Sequence, residues 1–496
     1  MLDELVIPEM EILVGDAQVI GVIDFLYGDG GKGKIAAWLA LLADLYCRGT
    51  GGANAGHTFF LNNRKIIQHL LPVGIAYDNL GKTTVLGSGM AIDPHELCSE
   101  LEQLVAIGGS HNGLRIDEDA AVVMPWHIAI DRARNKSQVN GGIGSTGRGI
   151  GPCYEDKTGR RGINMRDILS PDVLTDKLRK LREIYPEFAQ EMTDEKVVET
   201  LRPAAEMLRD YITNTATIVH RSIRAGKKVI LEGAQGTLLS VQHGVHPYVT
   251  SSDCSINGTA AGVGISAGAV DLVLGIVKFP FMTRVGAGPF PTEFGGRDSE
   301  EYCAAENNGS PLNGRVQELD RYGIKYDPAN PSEYDRKDPK IIELMNSSDP
   351  LTQGIGVRLA GDEFGATTGR PRRTGWTDAV AVKYAAEINR PSDPTKMKLV
   401  LTKPDSLAGI EEFRVAYNYG RPNAPGTTDF SRDEIEQRSV IPFHSRYPGY
   451  GDISGVRKYD ELPGSLRESI TDLERFIRTK VGVVSVGPKP EQTIVV

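Results

Sequence analysis

The sequence predicts an α/β fold: a large, mostly parallel central sheet with a phosphate-loop-like nucleotide site, helical excursions and small antiparallel subdomains. Three observations carry this expectation. The β-branched run Ala17 to Phe25 (AQVIGVIDF) leads straight into a glycine-rich turn, and helical periodicity follows from Lys34 to Tyr46. Short apolar runs recur at Lys228 to Leu231, Asp271 to Val277, Met397 to Thr402 and Gly482 to Val486, each ending in a polar or glycine-containing loop. Helical patterns separate these runs, and strands alternating with helices form parallel sheets whose ligands sit outside the carboxyl edge.

Because the ligand-facing loops come from the whole length, a single domain is expected over residues 17–496, preceded by an N-terminal extension over 1–16. Glu183 to Arg224 alternates charged and apolar residues at helical spacing and reads as a helical excursion. Arg297 to Pro350 is rich in Asn, Asp, Pro and Tyr without clear periodicity, so an irregular surface insertion is expected at about 297–350.

The chain has 496 residues with 56 Lys+Arg against 65 Asp+Glu, a formal charge of -9. That balance argues against a general nucleic-acid-backbone binder, which needs a basic excess to displace counterions. No stretch reaches the roughly 18 apolar residues of a membrane span, and Met1 to Met10 is acidic without an apolar signal core. The five cysteines are odd in number, scattered and never in a CxxC pair, which points away from disulfides and zinc and towards a cytoplasmic protein.

Gly28-Asp29-Gly30-Gly31-Lys32-Gly33-Lys34 matches G-x-x-x-x-G-K, in which backbone N–H groups and a lysine surround phosphates at a helix N-terminus. Ile35 follows where such loops normally offer a hydroxyl to magnesium, so the metal needs another ligand. Asp29 is the substitute within the loop. An acid beside phosphates would repel them unless a cation or a proton-transfer task justified it. A second small-residue loop, Gly51 to Thr58 (GGANAGHT), lets backbone approach a ligand closely, and its His57 can donate a hydrogen bond to a phosphate or accept a proton, or else is a turn or core histidine. Thr402-Lys403-Pro404-Asp405 follows a strand, where a carboxylate can accept both N1–H and the 2-amino group of guanine. Asp405 would thereby select GTP over ATP; a surface turn is the alternative.

Together these pieces resemble the adenylosuccinate synthetase family, from about Val19 to the C-terminus. The resemblance rests on Gly28 to Lys34, Gly51 to Thr58, Ser145 to Pro152 with Tyr154-Glu155-Asp156-Lys157, Glu232 to Thr237, His243 to Ser252, Arg284 to Glu293, Phe364 to Trp376, and Ser485 to Pro488. It implies GTP-dependent ligation of L-aspartate to IMP through a 6-phosphoryl intermediate, with Mg2+. Asp29 would remove the purine N1 proton and touch the metal, the Gly56 carbonyl would help hold it, and His57 would act beside the transferring phosphate, with Lys34 and Gln235 in the catalytic set. Asn54, Thr146, Gln235, Thr250 and Arg370 would hold IMP, with Arg160 reaching its phosphate across a homodimer. Thr367, Thr368, Arg370 and Arg372 would close over the aspartate. Gly28, Gly31, Lys32, Gly33, Lys34, Gly56, Thr58, Lys403, Asp405, Ser485 and Gly487 would surround GTP.

The sequence departs from the family at Gly30, where an acid is usual, at Ala37 and Thr50, and at Ser240 and Gln242. The missing side chain at Gly30 would make room for a 2-amino purine, GMP or dGMP, as acceptor, whereas retention of Asp29 speaks for IMP. A GTP-binding regulatory protein without synthetase activity, using the 297–350 insertion as a partner surface, is the reading from another class.

Overall fold

In the computed structural model, the described residues are 3–61, 64–136, 145–186, 193–307, 310–365, 369–422 and 424–496, without the side chains of 3–7, 57–61, 64–65, 136 and 307. The apolar runs become the middle of one sheet. Ten strands pair among the described residues: β1 (Val19–Asp24), β2 (Leu45–Arg48), β3 (Thr83–Leu86), β4 (Leu114–Asp117), β5 (Ile212–Thr213), β6 (Val229–Glu232), β7 (Leu272–Lys278), β8 (Met397–Thr402), β9 (Lys480–Ser485) and β10 (Thr493–Val495). Their order is β10-β9-β8-β7-β1-β6-β2-β3-β4-β5. Every pairing is parallel except β9 with β10.

The central strands are buried on both faces, which explains their continuous apolar character. Alternation within β1 sends Val19 and Ile23 into one core and Ile20 and Val22 into another on the opposite face. The second core includes Met10 and Leu13 of the helix α1 (Asp3–Val14) and Ile35, Trp38 and Leu39 of the helix α2 (Lys32–Leu39) that follows the glycine-rich turn. A smaller sheet is built from Phe281–Arg284, Arg373–Asp378, Glu412–Arg421, Ala424–Thr427 and Ile441–Pro448.

Three sequence expectations change. The helix expected over Lys34 to Tyr46 ends at Leu39, and Leu45 and Tyr46 belong to β2. A four-residue buried strand has no periodicity of its own, so its apolar residues extend a helical pattern by accident. The N-terminal extension contains a helix, Asp3–Val14, whose Met10, Leu13 and Val14 pack into the sheet core, and Lys398 Nζ donates to the Leu13 carbonyl at 2.9 Å. The segment 297–350 is not irregular: it carries the helices Arg315–Tyr322 and Pro339–Met345, with Leu319, Ile341 and Met345 fully buried.

The segment is anchored by a buried ion pair. Arg358 Nε lies 3.0 Å from Glu318 Oε1, both side chains are shut off from solvent, and Arg358 Nη1 donates to the Arg372 carbonyl at 2.8 Å. Removing one partner leaves the other charge buried and uncompensated, so Glu318→Ala is expected to lower unfolding stability by about 3–5 kcal/mol. Chemical denaturation checks this, and a loss below about 1 kcal/mol, the scale of an exposed pair, would show the segment to be peripheral.

Candidate active site

The parallel order places the predicted loops side by side at one edge. Carboxyl ends of β9, β8, β7, β1, β6 and β2 lie in succession and carry, apart from β7, the loops at 486–487, 403–405, 25–31, 233–237 and 49–56. At about 4.8 Å between strands, the row spans roughly 24 Å, enough for two nucleotides end to end. The loops of β8 and β9 stand on one side of β1, those of β6 and β2 on the other, and the glycine-rich loop of β1 between them.

Gly31, at φ 94°, turns the chain into α2 in a left-handed conformation that favours glycine. Asp29 is also left-handed at φ 55°, an uncommon state for a residue with a side chain. Its Oδ2 lies 2.8 Å from Arg372 Nε. Arg372 Nη1 in turn lies 2.8 Å from Glu363 Oε2. Glu363 is fully buried, and its other oxygen meets Lys278 Nζ at 2.9 Å and Lys403 Nζ at 2.5 Å. Burial alone would raise the Glu363 carboxyl, but Lys278, Lys403 and Arg372 together hold it far below the usual carboxylate range. Burial also draws the Lys278 ammonium down to about 8, against the pull of Glu363.

Lys403 takes a left-handed conformation at φ 64° and leads into the turn Pro404–Leu407. Asp405 Oδ1 is buried without a hydrogen-bond partner among the described residues, and burial raises its pKa. A buried acceptor with nothing to accept from fits the paired donors on the guanine edge. Lys34 belongs to this end. Rather than pointing into the phosphate loop, its ammonium lies 2.6 Å from Ser485 Oγ and 2.7 Å from the Gly487 carbonyl. Burial lowers its pKa to about 7, opposed by Asp405.

On the acceptor side, Asn54 Nδ2 donates to Thr250 Oγ1 at 3.2 Å. Gln235 stands at φ 50° with a buried Nε2 that has no partner among the described residues, a donor available to a phosphate or a purine. Lys32 Nζ donates to the Gln235 carbonyl at 2.5 Å and so joins the phosphate loop to this side. Gly56 is exposed just before the strand His57–Leu61, and the side chains of His57 and Thr58 lie outside the described residues. Thr367 and Thr368 lie outside them altogether.

Three expected residues stand apart in this structure. Thr146 is exposed in the loop before the helix Ile150–Thr158. Arg160 is exposed just beyond that helix at φ 61°. Arg370 pairs with Glu306 at the surface, while Arg372 turns inward onto Asp29. Sequence reasoning missed Glu363 and Lys278. Glu363 immediately precedes the Phe364 to Trp376 match, and Lys278 ends an otherwise apolar strand, which is the available signal. It also missed Tyr154 as a support: its hydroxyl donates to the Gly89 carbonyl at 2.6 Å and accepts the Gly51 N–H at 3.0 Å, bracing the acceptor loop.

The family model for adenylosuccinate synthetase matches residues 20–494. The chain is 35% identical over 483 residues to the adenylosuccinate synthetase of Trichlorobacter lovleyi, covering 96% of this chain and 97% of the relative. The chain belongs to the adenylosuccinate synthetase family. Identity with the Salinibacter ruber synthetase is 35%, covering 95% and 97% of the two chains. The fully ligated synthetase of Plasmodium falciparum superimposes with a TM-score of 0.78 at 30% identity, covering 97% of this chain and 100% of that one. The cyanophage S-2L succinoaminodeoxyadenylate synthetase, bound to dGMP and dATP, shares the fold at a TM-score of 0.52 and 18% identity, covering 97% and 95%.

The space expected at Gly30 for a 2-amino purine is not there. A Cβ built on Gly30 would lie 2.5 Å from Asp24 Oδ2, so the place of the missing side chain is filled from β1. The described residues contain no cluster of three or more His, Cys, Asp or Glu able to hold a metal. Magnesium does not need one, since it takes one or two carboxylates and completes its octahedron with phosphate oxygens and water. Asp29, whose side chain is 34% exposed, suits that requirement.

If Asp405 reads the donor base, Asp405→Asn should reduce the preference for GTP over ATP by about 100-fold or more, because a site built to accept from the base edge discriminates strongly. Comparing kcat/KM for the two donors measures this, and an unchanged ratio would remove Asp405 from base recognition.

Proposed function

We infer that the protein ligates L-aspartate to IMP with hydrolysis of GTP, giving adenylosuccinate, GDP and phosphate, and that Asp29 is the base that starts the reaction. The observation that carries the second part is the position of Asp29: on the phosphate loop at β1, between the base-reading loops of β8 and β9 and the acceptor loops of β6 and β2. There an acid can reach both a γ-phosphate and the edge of a purine.

The O6 of IMP is a poor nucleophile and a poor leaving group while N1 keeps its proton. Asp29 takes that proton, charge shifts to O6, and O6 attacks the γ-phosphoryl of GTP. The aspartate amine then attacks C6, and the 6-phosphoryl group departs as phosphate. Asp29 and the Gly56 carbonyl would hold Mg2+, which the family requires and which would neutralise charge on the donor phosphates. His57 and the Gln235 amide assist phosphoryl transfer, while the amides of Gly28, Gly31 and Gly33 and the Lys32 ammonium cradle the donor phosphates.

Arg372 holds the Asp29 carboxylate, and Thr367, Thr368 and Arg370 complete the site for the aspartate carboxylates, where guanidinium groups bind bidentately. Asn54, Thr146 and Thr250 hold the nucleotide monophosphate. Lys403, Asp405, Ser485 and Gly487 surround guanine, with Lys34 bracing that loop. The exposed Arg160, whose side chain has no partner among the described residues, reaches the acceptor phosphate of a second subunit, making the working enzyme a homodimer. Five unpaired cysteines support a cytoplasmic location. Among the described residues no helix is long and apolar enough to cross a membrane.

Asp29→Asn should leave GTP binding within about threefold of wild type while lowering kcat by at least about 100-fold, the range of general-base effects. Steady-state assays with IMP, GMP and dGMP as acceptors check both the base and the acceptor; turnover within about tenfold of wild type, or a preference for GMP or dGMP, would sink the corresponding assignment. Arg160→Leu should lose turnover alone and regain up to about a quarter of wild-type activity when mixed with Asp29→Asn, as expected for sites shared across a two-fold interface. No recovery on mixing would make Arg160 a residue of its own subunit only.

A further inference from the structure

A buried acid at the end of β1 takes no part in the steps above. Asp24 is 1% exposed and closes the strand beneath the phosphate loop. One carboxylate oxygen accepts the Leu26 N–H at 2.9 Å; the other accepts the Gly30 N–H at 2.8 Å and lies 3.5 Å from Lys32 Nζ. On the far side of Gly30, its carbonyl accepts from Thr402 Oγ1 at 2.6 Å. Thr402 is the last residue of β8, next to the guanine-reading Lys403.

Gly30 is therefore held through both of its peptide units by the ends of two strands. The peptide unit containing its N–H is planar and shared with Asp29, so fixing that N–H fixes ψ of Asp29 and the direction in which its carboxylate leaves the chain. A side chain at position 30 would have to displace Asp24: its Cβ would meet Asp24 Oδ2 at 2.5 Å, Asp24 Cγ at 3.1 Å and Ile276 Cγ2 at 3.3 Å. Gly30 is not among the residues at positive φ, so the exclusion is spatial, not conformational.

We propose that Asp24 is a positioning residue for the ligation: its carboxylate fills the space a side chain at position 30 would occupy, and from there it sets the Gly30 peptide and the Lys32 ammonium so that Asp29 meets the purine edge. The proposal rests on Asp29 as the base. It accounts for Gly30 and Asp24 as one paired feature, since the acid that the family resemblance leads one to expect at position 30 is absent and a carboxylate is brought against the same residue from β1. Through Lys32 and its bond to the Gln235 carbonyl, the same carboxylate also ties the loop to the acceptor side.

The test compares Asp24→Asn, Asp24→Ala, Gly30→Asp and the double variant Asp24→Ala/Gly30→Asp in the full chain, by kcat, by KM for each substrate, and by thermal unfolding with and without GTP. Asp24→Ala should lower kcat about 100-fold, the scale of a 1 Å misplacement, with KM for IMP and aspartate within about threefold. Gly30→Asp alone should be similarly impaired. The double variant should regain at least about tenfold in kcat over Asp24→Ala, because a carboxylate returns to the vacated space. Asp24→Asn keeps the volume and should fold, yet lose turnover, because one of its two acceptor oxygens becomes a donor facing another donor. Turnover of Asp24→Asn or Asp24→Ala within about threefold of wild type, or a folded double variant no more active than Asp24→Ala, overturns the proposal. If Asp24→Ala does not fold, the outcome for Asp24→Asn decides. The Asp29 reading is judged separately by Asp29→Asn: should that variant keep its turnover, the base assignment falls, while the GTP-induced rise in unfolding temperature, lost in Asp24→Ala and recovered in the double variant, still decides whether Asp24 and position 30 share one space. Failure of that recovery counts against the pairing whatever Asp29 does.

Discussion

A carboxylate kept charged without access to solvent needs compensation close by, and the surroundings of Glu363 organise this site. Its two oxygens gather Lys278 from the end of β7, Lys403 from the end of β8 and Arg372 from the segment leading into the smaller sheet. Removing any one cation would leave charge uncompensated in a medium where that is costly, so the three chain segments are held to a common geometry. Arg372 extends the arrangement to Asp29, and Lys403 adjoins Asp405. Asp29 and the loop that carries Asp405 are thus linked through the side chains of Arg372, Glu363 and Lys403.

The parallel sheet supplies the remaining order. Because each crossover returns the chain to the same edge, loops separated by hundreds of residues open side by side, and their sequence along that edge follows strand order. The loops that follow β9, β8, β1, β6 and β2 then stand along that edge in strand order. The 297–350 segment contributes from behind: the Glu318–Arg358 pair is fully buried, and Arg358 grips the backbone carbonyl of Arg372, the residue that meets Asp29. That segment is therefore tied to the site loop through Arg358.

Much of this was legible beforehand where one local signal carried the information. The glycine-rich turn between a β-branched run and a helix placed Asp29 on a phosphate loop, and Met397 to Thr402 was read as a strand to the residue. What escaped were features that depend on distant partners. Leu45 and Tyr46 look like the continuation of a helix until the neighbouring strands β6 and β3 claim them. The three arginines of the GRPRR string are alike in sequence, yet Arg370 faces Glu306, Arg372 faces Asp29, and Arg373 is buried against Glu293 and Glu300. The direction of Lys34 was equally unreadable, because its acceptors lie about 450 residues further along the chain.

Residue types and short spacings were enough to predict an α/β nucleotide-binding fold, to carry the resemblance to its family and to place an acid on the glycine-rich loop, because turns, strands and helix starts are decided by neighbours a few positions apart. Which charges meet is another matter. Asp24 against Gly30, Arg372 on Asp29 and three cations around Glu363 are consequences of strand order and burial, since only packing brings such groups within a few ångströms and only exclusion of water obliges them to pair.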